Sequence, residues 1–156
     1  MKQPIKKQFF KKDAKESGAY RWADLPVKDY PAAGTRSQGM TKQVLFDADE
    51  HLLSELRYFE AEPGGYSALE RHDHIHAVLI LRGHGKVLMG DHIEDVARYD
   101  TLYIPPQTWH QFYAAQDTHL GFLCLVNGER DRPARPTEAD IADLQKNTAI
   151  ADFIRW

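Results

Sequence analysis

Apolar residues fall in short runs separated by turn-forming residues over most of the chain, and the runs read as β-strands. Residues 41–46 and 56–61 are two such runs, joined by a polar turn around residues 47–51. Glu62-Pro63-Gly64-Gly65 predicts a turn, because proline fixes one φ and glycine permits a positive one. The stretch from Gly64 to Gly83 then reads as extended, and its second half, Ala77-Val78-Leu79-Ile80-Leu81, is apolar throughout. Side chains alternate along a strand, so Val78 and Ile80 share one face while Ala77, Leu79 and Leu81 share the other. Both faces need cover: one looks into a core, the other onto the N-terminal segment or a second subunit. Arg82-Gly83-His84-Gly85 predicts a hairpin turn into a short strand at residues 86–89. Residues 99–112 read as a strand, a Pro105-Pro106 turn and a second strand. Residues 111–115 and 120–126 close the series, the last again apolar on both faces.

The two ends have a different character. Residues 1–20 carry Lys2, Lys6, Lys7, Lys11, Lys12 and Lys15 around Phe9 and Phe10, a pattern read as a solvated extension in preference to a basic docking arm. Pro26, Pro31, Gly34 and Gly39 predict an irregular crossing segment, pinned to the body by Trp22, Leu25, Val27 and Tyr30. Residues 130–136 are charged and broken by proline. Thr137 then caps a helix with acids in its first turn, and Ile141, Leu144 and Ile150 form its apolar stripe. Phe153, Ile154 and Trp156 are expected to dock on the barrel or on a partner. The organisation expected is an N-terminal extension at 1–40, a barrel at 41–128, and a linker with a short C-terminal helix at 129–156.

Composition narrows the class of function. A length of 156 residues suffices for one domain with a proper core. A net charge of −3 argues against nucleic acid or an anionic membrane as a partner. The single cysteine, Cys124, excludes an internal disulfide framework and suits a reducing cytoplasm. No apolar run approaches the roughly 18 residues of a membrane span, and no hydrophobic leader follows the N-terminal lysines.

The chemistry concentrates in Glu70-Arg71-His72-Asp73-His74-Ile75-His76, which holds 3 of the chain's 8 histidines. On an extended strand Glu70, His72, His74 and His76 point the same way, and imidazole and carboxylate both bind borderline divalent metals. Together with residues 99–114, this stretch resembles the two signature motifs of the cupin superfamily, over roughly residues 45 to 127. In the first motif Gly64 is followed at the family's intervals by Glu70, His72, His76 and Gly83. In the second, Tyr99, Pro105, Gln107, His110 and Ala114 stand at the family's glycine, proline, glycine, histidine and asparagine positions. Every interval fits, but Glu70 replaces the usual histidine and His76 the usual glutamate. The 15 residues between Gly83 and Tyr99 favour a compact single barrel.

The resemblance implies an all-β fold, a small antiparallel β-barrel or jelly roll. It implies one divalent ion per chain (Fe, Mn, Ni, Zn or Cu) on Glu70, His72, His76 and His110, with water or substrate completing the shell. Neutral imidazole is the ligand form, so binding should weaken as pH falls below about 6.5. His74 reads either as a proton-transfer group at the mouth or as a solvated turn residue. Cys124 reads as a thiol facing the cavity or as a small buried hydrophobe. Trp109, Phe112 and Phe122 read as pocket wall or as core, and Arg57 enters the cavity if its strand parity points inward. His84 and His92 read as exposed loop histidines.

Three functions compete at this point. The first is a metal-dependent, oxygenase-type enzyme acting on a small organic molecule. The second is a metal-dependent isomerase or lyase acting on a carbonyl or sugar-acid-like compound. The third is a non-catalytic binding barrel. A homodimer is the expected assembly, because two strands are apolar on both faces.

Overall fold

The computed structural model describes residues 10–12, 18–30 and 36–156. Lys2, Lys6, Lys7, Phe9, Lys15, Pro31 and Gly34 lie outside them. The N-terminal segment enters as β1 (Phe10–Lys12) and β2 (Tyr20–Trp22), a two-stranded ladder, and β3 (Lys28–Asp29) pairs with β4 (Gln38–Phe46). Then come β5 (Ser54–Tyr66), β6 (His76–Arg82), β7 (His84–Met89), β8 (His92–Ala97), β9 (Thr101–Ile104), β10 (His110–Ala114) and β11 (Leu120–Asn127). They form one curled antiparallel sheet in the order β8-β7-β10-β5-β11-β6-β9, with β4 on the other side of β5. Among the described residues, no helix is long and apolar enough to cross a membrane.

Strand β5 is the spine. Its first part pairs with β11 from Ser54 to Ala61, and its last residue, Tyr66, pairs with Tyr113 of β10. The turn expected at residues 62–65 is therefore a bend inside one long strand, where pairing passes from one half of the sheet to the other. Gly65 permits the bend: a Cβ there would meet the Gln38 carbonyl oxygen at 2.7 Å. The hairpin expected at residues 82–85 is also corrected. Strand β6 pairs with β9 and β11, and β7 with β8 and β10, so the chain crosses between the two halves of the sheet. Gly83 makes the crossing at φ +73°, and a Cβ there would lie 1.6 Å from the His119 carbonyl oxygen.

The inner face is apolar where the alternation predicts it. Val78 and Ile80 of β6 meet Phe59, Ala61, Phe112, Leu120, Phe122 and Val126 in one core. Phe122 stacks between Phe112 (4.3 Å) and Phe59 (5.4 Å), so these two aromatics are core. On the outer face, Tyr58 and Glu60 are covered by the N-terminal strands: Trp22 lies 4.8 Å from the Tyr58 ring, and the Tyr20 N–H donates to Glu60.

One C-terminal helix was expected, and there are two, α1 (Glu138–Leu144) and α2 (Thr148–Phe153). Thr137 caps α1 reciprocally with Asp140, and Asn147 caps α2, so each start has its own side-chain acceptor. Ile141, Ile150 and Ile154 pack with Leu69, Leu88 and Trp109 in a second cluster, which makes Trp109 a helix-docking residue. Phe153 packs against this cluster with the buried Ile154, as expected, while Trp156 is half-exposed in the single chain.

Candidate metal centre

The stretch expected to present its ligands on one strand does not run as a strand. From Ser67 to Ile75 the chain is irregular, held by the Glu70–His110 bridge and the Arg71–Ala134 bridge. Only His76, the first residue of β6, sits on a strand, and His110 opens β10. Parity therefore does not align the histidines. The turn does so, by bringing His72 back over His76.

The nitrogens of His72, His76 and His110 converge, each offering one atom within 4.8 Å of the others, and all three side chains are buried. The Nδ1–H of His72 donates to the His74 carbonyl at 2.7 Å, and that of His110 to the Thr108 carbonyl at 2.9 Å. A carbonyl only accepts, so both rings carry their proton on Nδ1 and turn a bare Nε2 lone pair inward. His76 Nε2 lies 2.7 Å from His72 Nε2. Inward lone pairs fixed by carbonyl partners suit a metal ion, and this donor set fits a borderline divalent one. Burial keeps the rings neutral. It pushes the His110 pKa down to about 4 and lowers those of His76 and His72, with neighbouring imidazoles adding to the effect.

Glu70 stands at the edge of this group. Its Oε1 is 3.9 Å from His110 Nε2 and accepts a hydrogen bond from the Tyr30 hydroxyl at 3.1 Å. Burial raises its carboxyl pKa to about 6, opposed by that hydrogen bond and by Arg57 and Lys42. His74 is neither solvated nor aimed at the cluster. It stacks on His72 at 3.6 Å with the rings 4° from parallel, and its Nδ1 bonds Asp131 at 2.7 Å. Asp131 also accepts the backbone N–H groups of Asp73 and His74, so it holds the ligand turn in shape. Sequence reading missed it, because residues 130–136 look like a plain linker. It likewise assigned Tyr30 only to pinning the N-terminal segment. His84 and His92 are exposed, as expected, though they lie on strands beside Asp117 and Asp91.

Cys124 does face the interior. Its thiol is buried, with Sγ 2.7 Å from His76 Nδ1 and 3.9 Å from a guanidinium nitrogen of Arg57. Burial pushes the thiol up to about 11, against the pull of Arg57. Arg57 is inward too, on the same face of β5 as Phe59, whose ring lies 5.0 Å beneath it.

The cupin domain family, of the cupin 2 type, matches residues 57–126. A Rhodospirillum rubrum protein named 1-methylthio-D-xylulose 5-phosphate methylsulfurylase is 48% identical over 136 residues, 86% of each chain. This chain is a cupin. The crystal structure of a cupin 2 conserved barrel domain protein from Rhodopseudomonas palustris superposes with a TM-score of 0.82 at 53% identity, covering 87% of this chain and 94% of that one. A cupin-2 domain structure from Rhodospirillum rubrum gives 0.81 at 48% identity, covering 86% and 90%. Within this cupin, both glycine positions of the second motif hold other residues in the backbone conformation glycine would adopt: Tyr99 at φ 80° and Gln107 at φ 56°.

Proposed function

We propose that this cupin is a metal-dependent enzyme of carbon–sulfur chemistry, removing a methylthio group from the carbon beside the carbonyl of a small phosphorylated ketose. The observation that carries the reading is the shared imidazole. His76 turns Nε2 to the histidine cluster and Nδ1 to Cys124, so a buried thiol stands against the candidate metal set. The substrate class follows from the name of the Rhodospirillum rubrum relative.

His72, His76 and His110 would hold the ion, with Glu70 as a fourth ligand, and the ion supplies a Lewis acid for the carbonyl oxygen. With an ion held at Nε2, His76 would keep its proton on Nδ1 and offer an N–H to Cys124 Sγ, 2.7 Å away. That N–H and the Arg57 guanidinium would oppose the effect of burial and stabilise the thiolate as it forms. The thiolate attacks the methylthio sulfur and forms a sulfur–sulfur bond. The carbon–sulfur bond breaks, and its electron pair leaves on the enolate of the ketose. The enolate carbon takes up a proton and becomes a methyl group. Cys124 is left as a methyl disulfide, which an external thiol reduces to return the enzyme. The carbonyl-compound reading is preferred to the oxygenase reading because a wall thiol has a role in it.

The test is incubation of metal-loaded protein with 1-methylthio-D-xylulose 5-phosphate and a thiol, in air and under argon. Equal turnover in both, a methylthio adduct on Cys124 in the intact-protein mass before thiol is added, and loss of both in Cys124→Ser are expected. Turnover that requires air would return the protein to the oxygenase class. Tight retention of the sugar without turnover would make it a binding barrel.

A further inference from the structure

The mechanism uses Arg57 only as a neighbour of Cys124, yet its side chain is 5% exposed and its Nε, also buried, makes no hydrogen bond. Its one carboxylate contact among the described residues is Glu55 Oε1, at 3.4 Å from Nε. Glu55 is itself shared, since Arg130 holds the same oxygen at 3.0 Å. A buried guanidinium that shares its counter-ion with a second arginine, and whose Nε is ion-paired without a hydrogen bond, has capacity for a further anion.

A second cation shares this face of the sheet. Lys42 of β4 pairs with Phe59, two residues along β5 from Arg57, so both project from the inner face. The Lys42 ammonium stands 5.3 Å over the Tyr30 ring, and the Tyr30 hydroxyl bonds Glu70 at the edge of the histidines. Burial first, and then the Arg57 charge, lower the Lys42 pKa, and both cations act on Glu70. Arg57, Lys42 and Arg130 thus gather three positive charges around the single carboxylate of Glu55.

We infer that Arg57 and Lys42, backed by Arg130, form the seat for the phosphate of the substrate, anchoring it while the carbonyl end lies toward the histidines. Arg57 supplies a planar fork for two phosphate oxygens, and Lys42 a point charge for a third. Glu55 holds Arg57 and Arg130 in place. The choice of phosphate over other anions rests on the ketose-phosphate reading above.

The experiment titrates inorganic phosphate and D-xylulose 5-phosphate into the protein as purified, by calorimetry, with metal content measured for every variant. Lys42→Met is expected to weaken both by tenfold or more, with its metal content unchanged. Arg57→Lys should lose more affinity than Lys42→Met, because one ammonium cannot replace the fork. If Arg57→Lys fails to fold, Lys42→Met with Arg130→Gln carries the test, since both side chains are less buried. Affinities within twofold of wild type in the folded variants would overturn the seat. So would equal kcat/KM for the phosphorylated thioether and its phosphate-free analogue, and that result would leave the carbon–sulfur reaction standing. Phosphate binding that depends on Lys42, in a protein that never cleaves the thioether, would support the seat and remove the reaction.

Discussion

An imidazole that donates through Nδ1 to a backbone carbonyl has only Nε2 left to give, and His72 and His110 are both held this way. Replacing either by alanine should therefore remove most of the metal, read as metal per chain by mass spectrometry, while Glu70→Gln should cost less because Glu70 sits at the edge and an amide oxygen still coordinates. Burial also moves the pH at which protons compete. His110 protonates at about 4, well below the ordinary 6.5, so metal should be retained into moderately acid solution and lost toward pH 4. In the metal-free protein the depressed histidine pKa values have a definite sign. Between pH 6.5 and 4 the unfolded chain takes up protons that the folded chain refuses, so stability falls as pH falls across that window. His110 alone contributes up to about 3 kcal/mol of this loss. Glu70, raised to about 6, acts oppositely and loses stability as pH rises through its window. Three histidines outweigh one glutamate, so thermal midpoints of chelated protein should decline from pH 6.5 to 4; an unchanged midpoint would mean the rings are not neutral and buried.

At the scale of elements, the turns carry the strain. Tyr99 and Gln107 occupy positive φ without being glycine, and a bulky side chain there costs about 1–2 kcal/mol. Tyr99 is exposed, so Tyr99→Gly should be neutral or stabilising by up to about 1 kcal/mol in urea denaturation, where glycine at an ordinary exposed strand position would destabilise. Gly83→Ala should do the reverse and destabilise by several kcal/mol, because its Cβ would collide with the His119 carbonyl at the crossing between β6 and β7.

For the whole molecule, the outer face decides assembly. The N-terminal strands cover Tyr58 and Glu60, but the neighbouring face of β6, β9 and β11 presents Ala77, Leu79, Tyr103, Leu123 and Leu125, with Tyr103 and Leu125 exposed by 62% and 42%. A contiguous apolar face of this kind is stabilised by burial in a two-fold pair. Light scattering at micromolar concentration should give twice 17.9 kDa, and Leu125→Asp should give the monomer. A wild-type monomer would mean that this face needs no partner.

The sequence by itself determined the fold class, the two alternating faces of β6, and the candidate histidines. Strand alternation and motif intervals are local properties, and local properties survive without coordinates. Tertiary structure alone decided the rest. The long strand β5 and the crossing at Gly83 depend on which strands pair at a distance, and a Pro-Gly-Gly run reads the same in a bend as in a turn. His74 and His72 share a parity on paper, yet the irregular turn sends one to Asp131 and the other to the cluster. Asp131, Tyr30 and Lys42 reach the site from segments 30 or more residues away from His72 along the chain, and no periodicity marks them. Arg57 and Cys124 face the histidines because β5 and β11 are paired in one register, and register is set by the whole sheet.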